Sequence, residues 1–411
     1  MSKELNKRLE LNISSLDKVH LAIICLSLAF IFNPLYLLLF FVLVERWIKL
    51  PVLINFIIAI SIALLFINRE IGGIWSSVGD ANYANDDALN YLSYYRNLFD
   101  NSFFSSVLGL NIFNGGEPLW FIIAYIVSFV TNGNEFSIVL VSVLLPILIL
   151  HLVFLKISRD FCFNAAFFYI FFPEINHIFY HLWRFSLSLV ITLLLFTYLL
   201  TKNRMNIKLV FMSFFAHVSS VFTSMLLILT KKFSVPAETE STYYQFIFIL
   251  RYLLFSIIVF YALLFVVGYM DFYKLNFYLR SDEITALFEY SKRHFLYILF
   301  SVYLLLFSKK KIIISVAILN LTLLLIPFFI PVTLIYERIL LLTIPPIVIS
   351  FLYQIKNYAR FKNIMYIPML IFFLVFVSNV EGKLFYVYMS RGHAFSLFNG
   401  IFSNILDIIA N

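Results

Sequence analysis

The chain has 411 residues, 62% of them hydrophobic and only 13% charged, with 50 Phe and 25 Tyr. That balance excludes an ordinary soluble domain and indicates a polytopic membrane protein. The net charge of +8 does not mark a nucleic-acid binder, because Lys and Arg lie in short clusters between apolar runs, the positive-inside pattern.

Only two cysteines occur, Cys25 and Cys162, both inside apolar runs. They exclude a disulfide framework and a cysteine-based metal site, and they read as packing residues. No zinc-type ligand spacing, Walker motif, nucleophile elbow or dinucleotide fingerprint is present, which argues against ATP-driven chemistry on the cytoplasmic side.

In chain order, Met1 to Lys18 is a polar arm without a secretory signal, expected in the cytoplasm. Val19 to Val44 is apolar but broken at Asn33-Pro34, so a hairpin of two short helices is predicted. Pro51 to Ile67 is predicted to span fully. Residues 68–117 form the longest polar segment, with a net charge of −4, and are expected as an external loop. Leu119 to Val130 is too short to cross at about 1.5 Å per residue and reads as a partial or tilted helix. Phe136 to Leu155 is predicted to run inward to Lys156, and Phe161 to Phe172 to span back out.

Arg184 to Thr201 is predicted to run inward to Lys202. The segment Leu209 to Thr230 has basic residues at both ends, so two half-helices with His217 near their tip fit the charge rule better than one crossing. Tyr244 to Gly268 then runs outward, with an external loop over Tyr269 to Tyr290. A span returns inward to Lys309-Lys-Lys311, and Ile312 to Ile326 goes out again. Pro327 to Glu337 is expected as an external turn, with Arg338 opening the next inward helix. Residues 381–411 form an external tail. The expected fold is all-α: one integral membrane domain over 1–411, with about eleven to thirteen transmembrane helices, short or re-entrant ones included.

On this map Arg184 and Arg338 both lie at external starts of inward-running helices. A guanidinium never loses its charge and pairs bidentately with phosphate, while a helix N-terminus adds partial positive charge. Both positions therefore suit an anion such as a diphosphate. The alternative is an arginine that merely snorkels to the interface and anchors its helix.

His217 is a candidate general base, with a buried histidine bonded to a backbone carbonyl as the alternative. His181 lies three residues before Arg184, as a second donor or an interfacial residue. Glu117 in Asn114-Gly-Gly-Glu-Pro-Leu-Trp120 stands at a helix start, as a base or as a favourable first-turn charge. Asp86, Asp87, Tyr91 and Tyr94 give the external loop carboxylates and aromatic faces of the kind that hold sugars, and a solvated acidic loop has the same composition.

Taken together, these residues resemble the EpsG-like, Wzy-type family of bacterial polysaccharide polymerases. The likeness rests on Asp87…Tyr91…Tyr94, Glu117-Pro-Leu-Trp120, the Arg184 helix start, Ala216-His-Val-Ser-Ser220 and the late Arg338, covering roughly residues 80 to 345. The chain departs from the family where Leu119-Trp120 replaces Gly-Phe after Glu-Pro, and where Phe185 replaces Gln after the loop arginine.

The resemblance implies a membrane glycosyltransferase of GT-C-like architecture in a bacterial inner membrane, its site facing the outer side. The donor would be a glycan on undecaprenyl diphosphate and the acceptor a new lipid-linked repeat. Arg184, Arg338 and His181 would hold the diphosphate, and His217 or Glu117 would take the acceptor proton. Asp86, Asp87, Tyr91, Tyr94 and Trp120 would hold sugars. No cofactor or metal is needed if arginines offset the leaving charge. The expected partners are these glycan lipids and the bilayer, with a chain-length regulator as a further candidate.

The competing expectations are an O-antigen ligase, a flippase for the same lipid-linked repeat, and a membrane O-acyltransferase. A ligase usually carries a large late external loop, whereas Tyr269 to Tyr290 is short. A flippase predicts two similar halves, which the sequence does not display. An acyltransferase has no need of two phosphate-binding arginines.

Overall fold

The computed structural model describes residues 34–45, 50–67, 87–99, 118–158, 160–171, 178–179, 182–217, 287–325, 334–356 and 364–367, with isolated positions between 20 and 28 and between 224 and 258. Every element among the described residues is helical, with no strand. They are α1 (Pro34–Glu45), α2 (Val52–Ile67), α3 (Asp87–Phe99), α4 (Pro118–Thr131), α5 (Glu135–Ile157), α6 (Phe161–Phe171), α7 (Trp183–Lys202), α8 (Ile207–Ala216), α9 (Leu287–Phe307), α10 (Lys311–Leu325) and α11 (Leu334–Lys356). Two of them, α5 and α7, are long and apolar enough to cross a membrane.

Local chemistry sets the helix ends. Helix α1 begins at Pro34, where a missing N–H costs nothing because the first helical N–H has no partner anyway. Between α4 and α5, Asn132 and Gly133 take positive φ angles of 51° and 76°. These are residue types that tolerate the left-handed region. The Gly133 N–H then reaches back to the Ser128 carbonyl at 2.9 Å, and the Asn134 side chain caps α5 by accepting from the Ser137 N–H. Helix α7 closes in the same way at Asn203, whose φ is 49°.

Helix α2 covers 16 residues of the expected span Pro51 to Ile67, and α6 covers 11 residues of the segment expected over Phe161 to Phe172. One expectation is corrected. Helix α11 begins at Leu334, so Arg338 lies one turn inside it instead of opening it. No helix breaker stands between Pro331 and Arg338, and the helix takes up the Leu-Ile-Tyr that was expected as a turn.

The chain forms two compact units: residues 1–197, 207–218 and 359–411 in the first, 198–206 and 219–358 in the second. In the first, α2 packs along α5, α1 along α6, and α3 and α8 on α4. Helix α2 buries Ile54, Ile58 and Ile62 and exposes Leu53, Phe56 and Ile60, a stripe at four-residue spacing. The α1–α6 contact is fixed by Glu45, only 2% exposed. Its carboxylate accepts the backbone N–H groups of Cys162 and Phe163 at 3.1 and 3.0 Å, supplying the acceptors that the start of α6 lacks.

In the second unit α9, α10 and α11 pack pairwise. Phe300 stacks on Phe351 at 4.3 Å, and the Asn320 Nδ2 amide donates to Ser301 Oγ at 2.9 Å. One end of this unit is tied together by Lys310, whose Nζ donates to the Leu200 carbonyl at 2.8 Å and to the Tyr353 hydroxyl at 2.6 Å. Gln354 Nε2 donates to the Phe307 carbonyl beside it. The basic ends of α7, α9 and α11 are thus brought to the same place.

Candidate functional site

Helix α3 is the described part of the acidic segment 68–117, and it docks by its C-terminal end. The buried Tyr95 hydroxyl donates to the Asn134 carbonyl at 3.2 Å and lies 3.3 Å from Thr131 Oγ1. Arg96 makes a bidentate pair with Glu135, Nε to Oε1 at 2.6 Å and Nη2 to Oε2 at 2.9 Å. The hydrogen bonds that Arg96 donates to Glu135 raise its guanidinium above its already high ordinary pKa, so that charge is permanent. These contacts hold α3 on the α4–α5 turn and present its Tyr91 face inward.

Tyr91 is 4% exposed and meets two tryptophans. Its ring centroid lies 5.2 Å from that of Trp120 on α4 and 5.6 Å from that of Trp183 on α7. Trp120 is anchored in turn by an indole hydrogen bond to Ser142 Oγ on α5 at 3.1 Å. Arg184, the second residue of α7, places its guanidinium carbon 4.8 Å from the Tyr91 centroid and 5.9 Å from that of Phe121. Both rings attract the cation through the quadrupole of their faces. Tyr94 packs edge-on to Phe121 at 5.8 Å and remains half-buried.

Helix α7 is led into this position by the backbone. The Leu182 N–H bonds to the Ile178 carbonyl at 3.0 Å, and the Ser186 N–H to Leu182 at 2.7 Å. The residue after Arg184, Phe185, meets His217 edge to face at 5.4 Å. His217 follows the last residue of α8, its N–H at 3.4 Å from the Ser213 carbonyl. Helix α8 thus ends where the sequence predicts a break.

Five residues singled out from the sequence are therefore assembled in one unit: Tyr91, Tyr94, Trp120, Arg184 and His217. Tyr91 and Trp120 turn their rings to each other and to neighbours, so they build the wall around Arg184. Asp87 is the first residue of α3; Arg338 belongs to the second unit, and both side chains lie outside the described residues, as do Asp86, Glu117 and His181 entirely.

Phe121 and Ser142 are members of this cluster that the sequence did not identify. Phe121 adjoins Trp120, and that adjacency was the only available signal. Among the described residues no group of three or more His, Cys, Asp or Glu is placed to hold a metal ion. No protein-family model, curated protein or solved structure matches the chain.

Proposed function

We propose that this chain is a polytopic membrane glycosyltransferase of GT-C-like architecture that polymerises lipid-linked glycan repeats at the outer face of a bacterial inner membrane. The observation that carries the reading is the Arg184 guanidinium, held charged on Tyr91 and Phe121 at the start of an apolar 20-residue helix, with His217 against the next residue. The fit to the EpsG-like, Wzy-type motifs supports it. So do the large apolar side chains left open on several helices, among them Phe129 at 73% and Leu306 at 72%, which suit lipid and not water.

In this reading Arg184 pairs with the diphosphate of the donor lipid. The acceptor hydroxyl oxygen attacks the anomeric carbon, the bond from that carbon to the diphosphate oxygen breaks, and undecaprenyl diphosphate leaves with the electron pair. Arg184 offsets the charge that develops on the leaving oxygen. His217 or Glu117 accepts the acceptor's hydroxyl proton, and Tyr94, the more open aromatic, contacts sugar. Arg338 is the second cation expected from the resemblance.

Purified full-length protein, given the lipid-linked repeat, is expected to release undecaprenyl diphosphate and build a ladder of longer lipid-linked glycans. His217→Ala is expected to slow that ladder by roughly a hundredfold while donor affinity holds. Translocation of the repeat across a vesicle without any diphosphate release would replace the polymerase with the flippase reading.

A further inference from the structure

Two tryptophans pack on Tyr91, and their indole N–H groups have different fates. That of Trp120 donates to Ser142 Oγ. Trp183 is 1% exposed, and its Nε1–H has no hydrogen-bond acceptor. Buried donors are nearly always satisfied, and one left unsatisfied calls for an explanation. Trp183 also opens α7, where the helix contributes partial positive charge. The next residue, Arg184, lays a full charge on the same Tyr91 ring. The Trp183 ring and the Arg184 guanidinium thus both contact one tyrosine at the first turn of α7.

The geometry points to Trp183 as a ligand-binding residue, its indole N–H donating to an oxygen of the phosphate or diphosphate group that Arg184 binds. A guanidinium fork takes two oxygens, and a phosphate group has others to offer. The N–H of Trp183 takes one of those and so favours a phosphate group over a carboxylate, which has only two oxygens. This rests on the reading of Arg184 as the anion-binding residue.

The test is calorimetric titration of inorganic diphosphate, and separately of undecaprenyl diphosphate in detergent, into full-length wild type, Arg184→Ala and Trp183→Phe. Phenylalanine keeps an aromatic ring against Tyr91 and removes the donor together with part of the indole's volume. Trp183→Phe is expected to weaken binding about tenfold. Should that variant fold poorly, 3-benzothienylalanine at position 183 repeats the test, because it keeps the outline of indole and replaces the N–H with sulfur.

Wild-type affinity in a folded Trp183 variant, alongside weakened binding in Arg184→Ala, overturns this inference and leaves the role of Arg184 standing. Equal affinity in all proteins, or no binding of either probe by wild type, overturns both.

Discussion

A positive charge alone does not explain position 184. The planar guanidinium lies over Tyr91 at 4.8 Å and has the fork geometry that matches a phosphate bidentately, whereas a lysine ammonium offers a point charge on a flexible stem. Arg184→Lys is therefore expected to lose at least tenfold in polymerising rate, measured as lipid-linked ladder formed per minute. A lysine variant equal to wild type would mean that charge suffices. Glu45 makes a different demand. Its buried carboxylate holds two N–H groups of α6, so Glu45→Ala leaves both without acceptors. The expected loss is about 3 kcal/mol, read by denaturant unfolding in detergent, and a loss below about 0.5 kcal/mol would refute that account. By contrast the Arg96–Glu135 pair is 62% and 41% exposed on its two side chains. Solvent screens such a pair, and Arg96→Ala is expected to lower the unfolding temperature far less than Glu45→Ala.

Along α7 the side-chain hydroxyls divide into two sets. Side-chain hydroxyls in membrane helices usually bond back to a carbonyl of the preceding turn. Ser186 does so to the Trp183 carbonyl and Thr197 to Leu193, both at 2.8 Å. Ser188 and Thr192, fully buried, have hydroxyl oxygens without a partner. They follow Arg184 at steps of four residues, along one face of the helix. Thr192→Val is therefore expected to change stability by less than about 0.5 kcal/mol, and Thr197→Val to cost about 1 kcal/mol. Thermal unfolding of the two variants checks the order, and the reverse ranking would contradict it.

The limits of such elements were legible where charge and turn residues mark them. Helix α7 was expected over 184–201 and runs Trp183–Lys202, and α10 was expected over 312–326 and runs Lys311–Leu325. Basic flanks are local, so sequence carries them. The start of α11 was not legible, because Leu334-Ile-Tyr336 is neutral between helix and turn. Nor was the Glu45 cap, which joins residues 117 apart, a distance over which no local pattern speaks. The same holds for Tyr91: its spacing in the loop suggested an open sugar platform, and only tertiary packing turns it against Trp120 and Trp183.

For the whole molecule, the charge pattern makes a claim about sidedness that the site depends on. The basic ends of α7, α9 and α11 are joined through Lys310, as expected if all three face the cytoplasm. A membrane-impermeant maleimide applied to intact cells is expected to label Asn132→Cys, on the α4–α5 turn, and not Lys309→Cys. The native Cys25 and Cys162 are buried and give little background. Labelling of Lys309→Cys alone would invert the topology and put Arg184 on the wrong side.

The central claim is that Arg184 is the working cation of a polymerase. It is tested most directly by the surface glycan of cells that lack this protein, complemented with wild type or with Arg184→Ala at matched membrane levels. The expected result is a ladder of long chains with wild type and a single-repeat band with the variant. A full ladder in every lane would contradict the account.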